Sequence, residues 1–197
     1  MAKESFLRGA LTLALASALS RVIGIVYLVI LPRIIQEEGM GLFQLVRPIH
    51  YFAAVVAISG MPVAISKLVA EQAAEGSRQG VRQVFYLGFL CMAVTGLVTA
   101  AVLMVGAKFL AEHVARDSAV YPMIVILGPA CFFLALSAAV RGYFQGLQYM
   151  VPSAISQVVD QVVRVAATVL MAYWLLPYGI PYAVAGAALG SLVGELA

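Results

Sequence analysis

The residues best equipped for chemistry in this chain lie where a lipid bilayer tolerates them least. The stretch RGYFQGLQYMVPSAISQVVDQVVRV (141–165) leads into an apolar run that continues to Leu176. It carries Asp160 and Arg164 four residues apart, with Gln157 and Gln161 beside them. At about 100° per residue, Ser153, Ser156, Gln157, Asp160, Gln161, Arg164 and Thr168 fall within an arc of roughly 140° on a helix. Asp160 lies about 12 Å and Arg164 about 18 Å along the helix from Pro152, both near mid-membrane. A lone charge there costs about 2.5–3.5 kcal/mol on the lenient insertion scale. The i, i+4 spacing predicts that Asp160 and Arg164 neutralise each other, with Asp160 keeping Arg164 oriented. Carboxylate, guanidinium and amides on one stripe serve recognition of a polar or charged ligand. The bland alternative is that these charges pair only to hold a helix bundle together.

Arg21 repeats the theme within ALASALSRVIGIVYLVIL, with no acid within a helical turn. It requires a partner on another helix, a water-filled cavity or an anionic ligand. Arg47 and His50 share a face three residues apart, and Arg141 is followed by Gln145 and Gln148. Of the acids, only Asp160 and Glu195 fall inside apolar runs. The balance at membrane depth is therefore basic. A basic cavity suits phosphate, to which arginine presents a planar fork of donors, and suits a coupling cation poorly. No nucleophile motif and no phosphate loop is present. Cys91 and Cys131 lie in apolar runs and read as reduced small hydrophobes without metal-ligand spacing. Neither a cofactor nor a metal is expected, and no enzyme activity.

The elements that must position these residues follow from composition. The 197 residues are 63% hydrophobic and 11% charged, with a mean hydropathy of +1.02. Soluble domains carry about 25% charged residues, so this is an integral membrane chain. The net charge of +3 comes from Lys and Arg scattered mostly at the ends of apolar runs. They read as topology signals, and no nucleic-acid partner is expected. Apolar runs near 9–31, 49–68, 84–107, 120–140, 152–176 and 181–197 predict about six transmembrane helices. The sixth is short, which suggests that the chain stops inside a helix and is part of a longer protein. Lys3, Arg8, Lys67, Arg78, Arg82 and Arg141 fall on one side, and Arg33, Lys108 and Arg116 on the other. That bias puts the N-terminus in the cytoplasm. The charged segment 66–83 reads as a helix extension at the inner interface. Gly60 and Pro62 in the second run, and Gly128 and Pro129 in the fourth, break the hydrogen-bond ladder, either as packing kinks or as hinges.

Three stretches carry a family resemblance: SRVIG (20–24), GMPVAISKLVAE (60–71) and the 141–165 stretch. With them the chain resembles the polysaccharide transporters of the multidrug/oligosaccharidyl-lipid/polysaccharide exporter superfamily, over essentially its whole length. The resemblance implies an all-α bundle forming the N-terminal lobe of a two-lobed transporter of about fourteen helices around a central cavity. The C-terminal lobe would lie outside this chain. Members move lipid-linked oligosaccharides across the bacterial cell membrane, in cell-wall or spore-cortex synthesis. Arg21 matches the arginine of the S-R-x-x-G pattern that faces the cavity in the lipid-flipping branch. Where that branch has a second arginine six residues on, this chain has Tyr27.

The expectation is therefore a flippase for an undecaprenyl-pyrophosphate-linked peptidoglycan precursor, moving among membrane lipids. Arg21, Arg47 and Arg164 would hold the pyrophosphate, with Asp160, Gln157 and Gln161 completing the site. The alternatives are a cation-coupled drug exporter of the same superfamily, which would use Asp160, and a non-transporting scaffold for cell-wall enzymes.

Overall fold

The computed structural model describes residues 2–196, with side chains from Gly9 onward. Six α-helices follow one another, and no strand occurs among the described residues: α1 (Ala2–Ile58), α2 (Met61–Ala74), α3 (Arg78–Phe109), α4 (Tyr121–Gly146), α5 (Met150–Leu175) and α6 (Ile180–Leu196). A π-helical turn, Leu110–Ala115, extends α3, and short 3-10 turns precede α4 and α6. The helical stretches Gly9–Ala74, Arg78–Ala115, Ser118–Gly146 and Met150–Tyr178 are long and apolar enough to cross a membrane; α6 is shorter.

α1 is a helical hairpin. Gln36 leaves helical geometry at φ 60°, ψ −175°. The rings of Tyr27 and Phe43 then meet with centroids 6.5 Å apart. Sixteen residues of straight helix would hold them about 24 Å apart, so the chain turns back on itself. Glu37 and Glu38 open the second arm, where the helix dipole favours acids. Leu31 and Ile35 are fully buried at the bend, and Gly39 sits against Ile35, Val184 and Ile180 with no room for a Cβ.

One helix across 49–68 does not form. The second arm stops at Ile58, because Ser59 and Gly60 both take left-handed conformations (φ 43° and 69°). α2 then starts with Pro62 in its first turn, where the missing N–H costs nothing. Gly60 and Pro62 thus separate two helices instead of kinking one. Thr95 Oγ1 of α3 donates to the Ala57 carbonyl at 3.1 Å, satisfying an acceptor that the helix end leaves open. Gly128 and Pro129, in contrast, lie inside an unbroken α4. The segment 66–83 is the end of α2, a tight turn at Gly76 (φ 72°) and the start of α3, capped by Ser77 accepting from Gly80 N at 3.0 Å.

The interior is built from small residues. Gly128 of α4 faces Met104 and the Ala100 carbonyl of α3, where a Cβ would lie 2.8 and 3.1 Å away. Two turns on, Ala135 touches Gly96 of α3; two turns further, Gly142 meets the Pro62 carbonyl of α2. Ala130, Ala135, Ala139, Ala183 and Ala187 are fully buried, while Leu15, Val105, Leu170 and Trp174 are at least 64% exposed. Small side chains inside and large apolar ones outside are the arrangement of helices that pack in lipid, where only close approach drives association.

Candidate functional site

The two arms of α1 lean against α5 and α6, and a cleft of about 540 Å³ opens between them. The first arm contributes Arg21 and Tyr27, the second Arg47 and His50, α5 Gln161 and Arg164, and α6 Ser191 and Glu195. The hairpin at Gln36 brings Arg21 and Arg47 to one opening although 26 positions separate them in sequence. Gly24 of α1 faces the end of the Gln161 side chain, where a Cβ would lie 3.2 Å from Gln161 Nε2. Ser17 Oγ donates to Gln157 Oε1 at 3.2 Å, and Ser20 Oγ to the Gln157 carbonyl at 3.4 Å. Gln157 is therefore a strut between helices and does not line the cleft.

α6 reaches α5 backbone to backbone. Gly186, Gly190 and Gly194 recur every four residues along one face, against Met171, Thr168 and Arg164 respectively. A Cβ at Gly186 would lie 2.6 Å from the Met171 carbonyl. This contact delivers Glu195 to Arg164, whose Nη1 donates to Glu195 Oε1 at 3.1 Å. Nη2 of the same guanidinium donates to Gln161 Oε1.

The expected pairing of Asp160 with Arg164 is not what the helices make. Asp160 Oδ2 lies 3.2 Å from Nη2 of Arg141 on α4, with the two side chains 14% and 25% exposed. These two line a separate recess of about 280 Å³ with Ser137, Ser153 and Ser156. The polar stripe of α5 is thus divided. Gln161 and Arg164 face the cleft, and Ser153, Ser156 and Asp160 face the recess. The physical reason is that tertiary partners on α4 and α6 reach each charge with better geometry than a neighbour one turn away can.

Around the cleft stand three arginines and one carboxylate, that of Glu195. Among the described residues, Arg21 and Arg47 have neither a hydrogen-bond nor an ion-pair partner. Both are exposed to the opening. No group of three or more His, Cys, Asp or Glu suited to a metal occurs among the described residues. His50 Nδ1 lies 3.8 Å from Cys131 Sγ, a contact without a third ligand. Of the residues that meet here, Ser191 had no local sequence signal, and Glu195 stood out only as an acid inside an apolar run, with no sign of its partner. The glycine repeat of α6 was the one hint that this helix face packs tightly enough to bring them in.

A family of known proteins matches this chain over residues 6–197. The chain belongs to the polysaccharide biosynthesis protein family. It is 41% identical over 178 residues to stage V sporulation protein B of Bacillus subtilis (strain 168), covering 90% of this chain and 34% of that protein. It is 32% identical over 171 residues to lipid II flippase MurJ of the same organism, covering 82% of this chain and 31% of that protein. Sporulation protein YkvU, also of B. subtilis, is 26% identical over 169 residues. The chain spans about a third of the length of these curated relatives. No solved structure matches. The family expected from SRVIG, GMPVAISKLVAE and the 141–165 stretch is the family found.

Proposed function

We propose that this chain forms part of a flippase that carries a lipid-linked oligosaccharide across the bacterial cell membrane, with its N-terminus in the cytoplasm. The substrate is an undecaprenyl-pyrophosphate-linked peptidoglycan precursor, used in cell-wall or spore-cortex synthesis. A second lobe, lying beyond these residues, closes the cavity. The observation that carries the proposal is the pair of unpartnered arginines, Arg21 and Arg47, facing a cleft within an otherwise apolar bundle. Arginine forks donate to phosphate oxygens two at a time, and inside a membrane this offsets the cost of holding a bare cation there. No bond is made or broken. Transport is alternate opening of the cleft to the two sides as lobes rock about a midplane site.

A cation-coupled exporter would need a free carboxylate at the cavity. Both intramembrane acids are engaged by arginine instead, Asp160 by Arg141 and Glu195 by Arg164. A scaffold with purely structural charges would leave no reason for Arg21 and Arg47 to stand without partners.

The test is a flipping assay with fluorescent lipid-linked precursor on the intact protein in proteoliposomes. A hydrogen bond to a charged group contributes about 1.5–3 kcal/mol, so each lost arginine weakens binding about ten- to hundredfold. Arg21→Ala and Arg47→Ala are each expected to abolish flipping while leaving abundance in the membrane unchanged. Arg21→Lys restores part of it, because lysine keeps the charge and loses the fork. Full activity in both alanine variants overturns the proposal.

A further inference from the structure

Arg164 differs from the other two cleft arginines in one respect. Its Nη1 is held by Glu195 and its Nη2 by Gln161, so both prongs of its fork are occupied by protein. Arg21 and Arg47 are free among the described residues. Glu195 is 8% exposed and Arg164 38%, so the guanidinium is the more open of the two to the cleft, which both border. At the neighbouring Gly194 a Cβ would run into the Arg164 side chain. α5 and α6 are therefore in van der Waals contact at this level, so parting the ion pair would call for side-chain rotation and no separation of the helices. To a guanidinium, a carboxylate and a phosphate look alike, each offering two oxygens in the plane of the fork.

We propose that Glu195 is an internal competitor for the substrate's phosphate: it occupies Arg164 in the empty cleft and is displaced when a pyrophosphate lipid takes that arginine as a third anchor beside Arg21 and Arg47. This rests on the pyrophosphate reading above and names a residue that sets its affinity. The carboxylate has somewhere to go, since it already borders the cleft. Three unopposed arginines would hold a pyrophosphate too tightly for release. A carboxylate that returns to Arg164 as the ligand lifts away lowers the affinity at the step where the ligand must leave.

The probe is undecaprenyl pyrophosphate, titrated at fixed salt against the intact protein in nanodiscs. Glu195→Gln preserves size and an acceptor oxygen but removes the competing charge. It is expected to tighten binding about tenfold, the effect of one charge-assisted hydrogen bond no longer contested. In an Arg164→Gln background the same change is expected to alter affinity less than twofold, because no latch remains to be released. Glu195→Asp, which withdraws the carboxylate by one methylene, is expected to tighten binding severalfold and supplies the measurement if the glutamine variant is lost from the membrane. No tightening in either variant overturns the inference. Equal tightening with Arg164 absent also overturns it, since Glu195 would then act only as a background charge. The pyrophosphate reading is scored separately by Arg21→Ala combined with Arg47→Ala. Unchanged affinity for the probe in that variant removes the pyrophosphate from this cleft and the competitor with it.

Discussion

Neutralising Asp160 isolates the energetic weight of the recess from the business of the cleft. Asp160→Asn leaves Arg141 without its counter-charge, and Arg141→Gln does the reverse. At the observed 3.2 Å separation, two unit charges attract by about 5 kcal/mol in an effective dielectric of about 20. Desolvation of both groups cancels much of that, and the pair as a whole is close to break-even against a neutral replacement. Losing one partner is different, because the other stays enclosed and uncompensated. That costs about 3–5 kcal/mol for a fully buried pair, and about 2–3 kcal/mol here, since Arg141 keeps a quarter of its surface. The double change Asp160→Asn with Arg141→Gln is expected to lie within about 1 kcal/mol of the parent. The coupling between the two sites, the two single losses taken together less the double, is then about 3–6 kcal/mol, at or above the upper end of the range for directly interacting residues. The same cycle run between Asp160 and Arg164 is expected to give at most about 0.5 kcal/mol, the level of an i, i+4 pair on a helix surface. Equilibrium unfolding of the intact protein in mixed micelles, with membrane abundance scored in parallel, reads all the variants. A coupling to Arg164 as large as that to Arg141 would refute the division of the stripe into two halves.

Two further outcomes follow from the packing and the turns. Gly190→Leu drives a side chain into the Thr168 backbone and is expected to cost more than about 3 kcal/mol, at the upper end of overpacking, and to deplete the protein from the membrane. Gly106→Ala, with nothing within 4 Å of the added carbon, is expected to be neutral or to stabilise by up to about 1 kcal/mol in the same unfolding assay. A reporter fused at Gly76, in the turn between α2 and α3, is expected to read as cytoplasmic. One at Asp117, before α4, is expected to read as external, and the reverse pattern discards the orientation.

Helices were legible wherever apolar composition ran long enough, because a chain in lipid has few other ways to satisfy its backbone. The punctuation was harder to see. Gly60 and Pro62 announced a break, but the sharper reversal at Gln36 carries neither residue type at its centre. The stretch 32–48, left between the first two apolar runs, holds this reversal and the first turns of a returning helix. The arginines of the cleft could be named from their isolation in apolar surroundings. Their partners could not, since Arg164 is held by a residue 31 positions downstream and Asp160 by one 19 positions upstream. Helical periodicity states which residues share a face. It does not state which neighbour that face will meet, and on α5 one stripe meets two.

The glycine contacts of α6 also have a mechanical meaning. With Gly186, Gly190 and Gly194 seated on the α5 backbone, the two helices act as a single stiff spar, and the Arg164–Glu195 separation is set by rotamers alone. α1 has no such weld. Along its first arm it rests on α5 through the hydroxyls of Ser17 and Ser20 and through side-chain approaches at Gly9 and Gly24, with no glycine seated on the α5 backbone. A force that widens the bundle is therefore expected to open it first between α5 and the first arm of α1. Arg21 rides on that first arm, whereas Arg47 sits on the second arm, which Gly39 seats against α6 of the spar, so the span from Arg21 to Arg164 is the distance that would gauge such an opening.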